Sequence, residues 1–157
     1  MNPQSAAVDV ITETVIARPR PAVAAFASDP ENAPAWYVNI KSARWKNEPP
    51  LRIGSQFEFV AHFLGKRLAY TYEVADYIPH ERLVMRTAEG PFPMETTYTW
   101  ESIEPNVTRM TLRNRGTPHG FSRLVAPLVA VAMRSANRKD LARLKALLER
   151  TPDGAGA

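Results

Sequence analysis

The sequence predicts an α+β fold: a curved antiparallel sheet of seven strands, two short helices after the first strand, and a long C-terminal helix over one sheet face. Three observations predict it. Segments such as Leu68 to Val74, Phe92 to Trp100 and Thr108 to Arg113 alternate large apolar residues with Thr, Glu and Arg, the two-residue period of a half-buried strand. Gly and Pro pairs punctuate these segments at short intervals, as hairpin turns require. The last part of the chain, from Gly120 to Arg150, is helix-forming throughout except at Pro127.

Each element can be argued in order. The first strand covers Val8 to Ala17, rich in Val, Ile and Thr. Arg18-Pro19-Arg20-Pro21 breaks it, and Pro21 presets φ for a short helix from Ala22 to Ala27. Ser28-Asp29-Pro30-Glu31-Asn32 supplies the cap and first turn of a second short helix ending at Trp36. Strand two is Ile40 to Lys46, closed by Asn47-Glu48-Pro49-Pro50; strand three is Ser55 to Leu64. Gly65-Lys66 is expected to turn the chain tightly into strand four, Arg67 to Tyr77. Strands five, six and seven are Arg82 to Thr87, Phe92 to Ile103 and Val107 to Arg115, so the sheet meanders apart from the helical insertion. In the C-terminal helix Pro127 removes one backbone donor and predicts a kink or break near Ala126. Leu124 to Met133 is apolar nearly all round, predicting burial on several sides, and Leu141, Leu144 and Leu148 form a single stripe. Thr151 to Ala157 reads as a frayed tail.

At 157 residues the chain fits one domain, with a core from 8 to 150. Cysteine is absent, which removes disulfides, thiol nucleophiles and thiolate metal sites. With no signal-like N-terminus and no long apolar run, the sequence reads as soluble and cytoplasmic, without a membrane span. The net charge of +4 owes much to Arg134, Arg138, Lys139, Arg143, Lys145 and Arg150, which read as the solvated face of the last helix. Neither a groove-entering motif nor exposed interleaved aromatics accompany them, so no nucleic-acid partner is expected.

The order of elements resembles the START-like helix-grip fold, and local segments resemble the polyketide cyclase/dehydrase and lipid transport branch of that superfamily, SRPBCC. The matching pieces are Ala22 to Asn32, Tyr72-Glu73-Val74, Pro79-His80-Glu81-Arg82-Leu83, Gly90-Pro91-Phe92, Ala126-Pro127-Leu128 and Asp140 to Lys145. The resemblance covers residues 8 to 150 and implies a ligand cavity between the concave sheet face and the long helix. Fold alone does not choose a function, because this superfamily includes lipid carriers, hormone receptors, aromatases and co-chaperones.

Alternation then selects the inward side chains: Phe57, Phe59, Ala61, Phe63, Tyr70, Tyr72, Val74, Met85, Phe92, Met94, Tyr98, Trp100, Met110 and Leu112. A one-residue slip would instead bury Glu58, Glu73, Glu95 and Arg109. Val129 and Met133, with Asn137 as a polar member, extend the set on the helix, and Trp36 is expected at the cavity mouth. Core filling and cavity lining remain alternatives for each aromatic. Catalytic candidates are few. His62 faces outward, His80 and His119 lie in turns, and no metal-ligand spacing joins them. Asp76 ends strand four, where a turn-capping role fits best. There is no nucleophile elbow and no phosphate-cradling glycine loop.

The expected function is therefore binding of a hydrophobic small molecule (a lipid, an isoprenoid or an aromatic polyketide-like compound) without a cofactor. An aromatase/cyclase or dehydratase that orients its substrate is the alternative, and an interaction module with a filled core is a third; a homodimer stays open. The family resemblance implies an Arg and hydroxyl groups inside a cyclase cavity. Strand three offers Phe57, Phe59 and Ala61 there, with no arginine, while Tyr70, Tyr72 and Tyr98 supply hydroxyls.

Overall fold

The computed structural model describes residues 8–89, 93–116 and 126–150. Its strands are β1 (Val8–Ile16), β2 (Ile40–Trp45), β3 (Gln56–Phe63), β4 (Lys66–Ile78), β5 (Arg82–Glu89), β6 (Met94–Glu104) and β7 (Val107–Gly116). The helices are α1 (Arg20–Ser28), α2 (Ala33–Trp36) and α3 (Ala126–Arg150), with a single 3₁₀ turn, Pro30–Asn32, ahead of α2. All strands join one antiparallel sheet in the order β1-β7-β6-β5-β4-β3-β2. The chain meanders from β2 to β7, while β1 pairs with β7 and not with its sequence neighbour. Residues 18 to 39 therefore cross from one edge of the sheet to the other, carrying α1 and α2 with them.

The alternation works as the sequence predicts. Met94, Thr96, Tyr98 and Trp100 of β6 are buried, and the residues between them are not. The opposite face is a lattice of charge: Arg86 and Arg115 both reach Glu95, Arg109 meets Glu101, Arg113 meets Asp9, and Arg44 meets Glu58. Each such exposed pair is worth little by itself. Together they make a register slip prohibitive, since it would carry these charges into the core. Asp76 at the end of β4 takes two hydrogen bonds from the Arg82 guanidinium, at 3.0 and 2.7 Å.

Several local expectations are corrected. The β3–β4 turn is Leu64-Gly65, both at positive φ (51° and 77°), between the paired residues Phe63 and Lys66. The geometry is that of a two-residue hairpin turn, which needs the left-handed region twice, so Gly65 alone could not make it. β4 is interrupted at Thr71/Tyr72 and Val74/Asp76 in its pairing with β5, and Thr71 is buried beside Tyr70. No Gly or Pro announces these irregularities. The first half of α3 is not enclosed on several sides: Leu128 and Val131 are 68% and 62% exposed. This half meets the molecule along one stripe, through Val129, so residues opposite it face outward. Leu124, Phe92 and His119 lie outside the described residues, as does the stretch before Ala126 that would show a kink at Pro127.

Among the described residues the core has two parts. The larger gathers Leu141, Leu144 and Leu148 of α3 with Ile16, Val23, Trp36, Phe57, Val74, Leu83, Trp100, Met110 and Leu112. The smaller is Val129 of α3 against Val8 and Val10 of β1. We predict that Leu144→Ala lowers the unfolding free energy by about 2–5 kcal/mol, whereas Leu128→Ala changes it by less than about 0.5 kcal/mol. Urea unfolding of the two variants checks the contrast; similar losses for both would mean that the first half of α3 is covered in solution.

Candidate functional site

Between the two apolar contacts of α3, the sheet curves away from the helix and leaves a cavity of about 430 Å³. Its volume lies in the range that takes a small organic ligand. Phe59, Phe63, Tyr70, Tyr72, Met85, Met94 and Tyr98 from the alternating strands line it, together with Val129 and Met133 of α3. Ala61 and Asn137 line it as well, and Leu64 of the hairpin turn stands at the open side, 58% exposed, next to Lys66.

Other predicted residues share the inward face but lie beneath the C-terminal half of α3, in the closed core. Phe57, Trp100, Met110 and Leu112 are buried there and are not on the cavity wall. Trp36 is not at the mouth. It is completely buried, its ring 4.2 Å from that of Tyr37 and 5.7 Å from that of Tyr98, so it backs the wall instead of guarding it.

The wall also has a polar arc that hydropathy does not reveal. Thr96 and Asn114 are register partners on β6 and β7, and the Thr96 hydroxyl donates to Asn114 Oδ1. Asn114 Nδ2 donates to Asn137 Oδ1 at 3.0 Å, and Asn137 Nδ2 donates to Asp140 Oδ2 at 3.4 Å. Asp140 Oδ1 accepts the backbone N–H of Val38 at 2.8 Å, which ties α3 to the segment after α2. On the same side the hydroxyls of Tyr37 and Tyr98 are 2.6 Å apart. The arc thus joins β6, β7, α3 and the α2–β2 connection around one end of the cavity. Thr96, Asn114 and Asp140 all sit at positions whose periodicity points inward, which is the signal available in the sequence. Tyr37 belongs to no periodic element and carries no such signal.

Burial governs the protonation of these groups. Asp140 is 2% exposed, and loss of hydration pushes its pKa up to about 6; the Val38 and Asn137 hydrogen bonds and the Arg143 charge oppose the rise. Burial likewise raises the Tyr37 and Tyr98 phenols far above their ordinary value, with the charge of Asp140 contributing to both. Tyr72 is pushed up to about 12 by burial, opposed by its hydrogen bond with Thr96. At neutral pH the tyrosines are therefore hydrogen-bond donors and acceptors, not bases, and Asp140 is the one group of the arc able to take up a proton. Among the described residues no cluster of His, Asp and Glu is arranged to hold a metal ion.

Residues 7–149 match the family described as polyketide cyclase / dehydrase and lipid transport. No curated protein matches the chain in sequence. Solved structures resemble it closely in fold at low identity. The Zhui aromatase/cyclase from a Streptomyces species superposes with a TM-score of 0.80 at 14% identity, over 96% of this chain and 99% of that one. A START superfamily protein from Mycobacterium smegmatis gives 0.79 at 14% identity, over 92% and 99%. A protein from Thermus thermophilus gives 0.76 at 22% identity, over 87% and 94%. These likenesses establish the START-like helix-grip fold and leave the chemistry to the residues of this chain.

The raised pKa of Asp140 has a signed consequence for stability. The folded state holds this proton more tightly than the unfolded chain. The contribution is therefore fully present below about pH 4, the unfolded aspartate value, and is lost as pH rises through about 6. We predict that the stability of Asp140→Asn relative to wild type improves by about 3 kcal/mol between those limits and then levels off. Urea unfolding of both proteins across that range measures it; a flat difference would mean that ionised Asp140 is fully compensated.

Proposed function

Because the chain belongs to the polyketide cyclase/dehydrase and lipid transport family, we propose that it binds a hydrophobic small molecule, a lipid, isoprenoid or aromatic polyketide-like compound, between the sheet and α3. One observation carries this reading: a cavity of about 430 Å³ walled by Phe59, Phe63, Met85, Met94, Val129 and Met133, with the hydrogen-bonded Thr96, Asn114, Asn137 and Asp140 along one side. A globular core normally closes to native density, because side chains around a void lose dispersion contacts on one side. An apolar ligand of matching size would restore those contacts and remove the wall from water. The filled core expected of an interaction module is not what these residues form.

A second reading, an aromatase/cyclase or dehydratase, is favoured by the polar arc. Asp140 can accept a proton near neutral pH, while Tyr37, Tyr72 and Tyr98 can hold a carbonyl or enol oxygen in place. Orientation of a flexible chain can itself supply much of a cyclisation barrier.

Native mass spectrometry of the freshly purified protein, with organic extraction of bound material, tests the first reading directly. We predict a stoichiometric apolar compound, or, for an empty preparation, saturable binding of the neutral probe Nile red. Ala61→Phe, which places a ring in the cavity, should weaken the probe by about tenfold or more; Nile red that ignores this change would place it elsewhere and end the proposal. The two readings part at the hydroxyls. Tyr72→Phe and Tyr98→Phe should cut turnover of an aromatic polyketide precursor by about 100-fold in an enzyme, while changing Nile red affinity by less than about threefold.

A further inference from the structure

The polar end of the cavity contains hydrogen-bonding capacity that the protein does not itself use. Asp140 has two carboxylate oxygens, offering about four acceptor positions. Among the described residues they receive the Val38 N–H at 2.8 Å and a long contact from Asn137 at 3.4 Å. Beside them, Tyr37 and Tyr98 have one hydroxyl proton each, and their 2.6 Å contact consumes only one of the two. The second is left to point away from the pair. The same end therefore offers an unfilled anionic acceptor and one spare neutral donor, within an otherwise apolar enclosure.

Charge narrows what can meet those needs. No ion pair to Asp140 is found among the described residues. Arg143, the cation acting on it, lies on the exposed side of α3 and donates to Ala35 O at 3.2 Å. Lys66 lines the opening but is exposed on the hairpin, where water screens it. Tyr37 and Tyr98 from the other walls are uncharged. A ligand carboxylate brought to this end would face a buried carboxylate with nothing between them to cancel either charge, the least favourable pairing in a low-dielectric site.

We infer that the cavity recognises the alcohol or phenol hydroxyl of a neutral amphiphile at the Asp140–Tyr37–Tyr98 end and discriminates against the corresponding carboxylate. The inference rests on the ligand-binding reading and deepens it. One hydroxyl satisfies both unmet partners: its O–H donates to Asp140 while its oxygen accepts the spare tyrosine proton. An ammonium could donate but could not accept, and a carboxylate could accept but not donate. The remaining length of the ligand then lies along Met85, Met94, Phe59 and Met133. On this account a free fatty acid is a poor ligand, while a hydroxylated isoprenoid or a phenolic ring system is a good one.

Matched probes test it. Naphthylbutanol, naphthylbutanoate and naphthylbutylamine share one apolar body and differ in the end group, and calorimetric titration near pH 8 gives their affinities. Wild type should bind the alcohol about tenfold or more tightly than the carboxylate, with the amine between them. Asp140→Asn should narrow the alcohol–carboxylate gap to about threefold or less, mainly by strengthening the carboxylate. The double change Tyr37→Phe with Tyr98→Phe, which removes both hydroxyl protons of the pair, provides a second variant: alcohol affinity should fall and carboxylate affinity should hold. A gap absent in wild type, or unchanged in Asp140→Asn, would overturn the inference and leave ligand binding intact. In that case Lys66→Ala would show whether a carboxylate is held at the mouth instead. If none of the three probes binds, the ligand-binding reading fails and takes this inference with it.

Discussion

A helix laid on a curled sheet makes apolar contact over only part of its length, and among the described residues α3 does so at two places. Its C-terminal half is anchored by Leu141, Leu144 and Leu148 in the main core, its beginning by Val129 against β1. Val129 and Leu141 are twelve positions apart in sequence, about 18 Å along a helix. Over that span the sheet recedes, and the space beneath becomes the cavity. If the first contact were lost, the opening would have no roof; if the second were lost, the core would have no cover. The outer charge lattice serves the same arrangement from the other side, because it fixes which face of every strand turns toward the helix.

The site is assembled against the interest of stability. Packing is given up where the cavity lies, and a carboxylate is held at 2% exposure between the two apolar contacts. Such a group is retained in a fold only when its hydrogen bonds hold it in place. Here the Val38 amide and Asn137 do so, and through Val38 the carboxylate joins the helix to the segment that crosses the sheet. The position that would most readily be replaced by a leucine is thus also a structural link between α3 and the rim. Asn114 and Thr96 extend that link into the sheet at consecutive bonded steps, so the polar arc braces the roof as well as lining it.

Much of this was legible in the sequence, for reasons that particular residues make plain. Two-residue periodicity identified the inward face, and Phe59, Tyr72, Met85 and Met94 stand there on the wall. Periodicity reports a face and not a depth, however. Phe57 and Phe59 are on the same strand, the same face and in the same core cluster, yet only Phe59 reaches the cavity wall. The depth of Trp36 escapes the sequence for a related reason: a large aromatic at the end of a short helix can guard an opening or back a wall, and only the tertiary contacts of its ring decide. Asp140 was hidden by its class, since a charged residue in a basic helix reads as solvated unless its place beside Leu141 and Leu144 is weighed. The interruptions of β4 and the Leu64 turn have no local chemical mark, being set by pairing across strands.

The short contact between the Tyr37 and Tyr98 hydroxyls is symmetric in its heavy atoms, so either oxygen can donate to the other. Reversing the donor moves two protons and no carbon, nitrogen or oxygen. With one arrangement the free O–H projects from the β6 side of the pair, with the other from the side of the α2–β2 connection. The wall therefore has two dipole patterns for a single shape. A bound molecule that shifts or turns end over end by about the 2.6 Å between these oxygens can be met by rotation about two C–O bonds, while the rigid sheet and helix stay where they are.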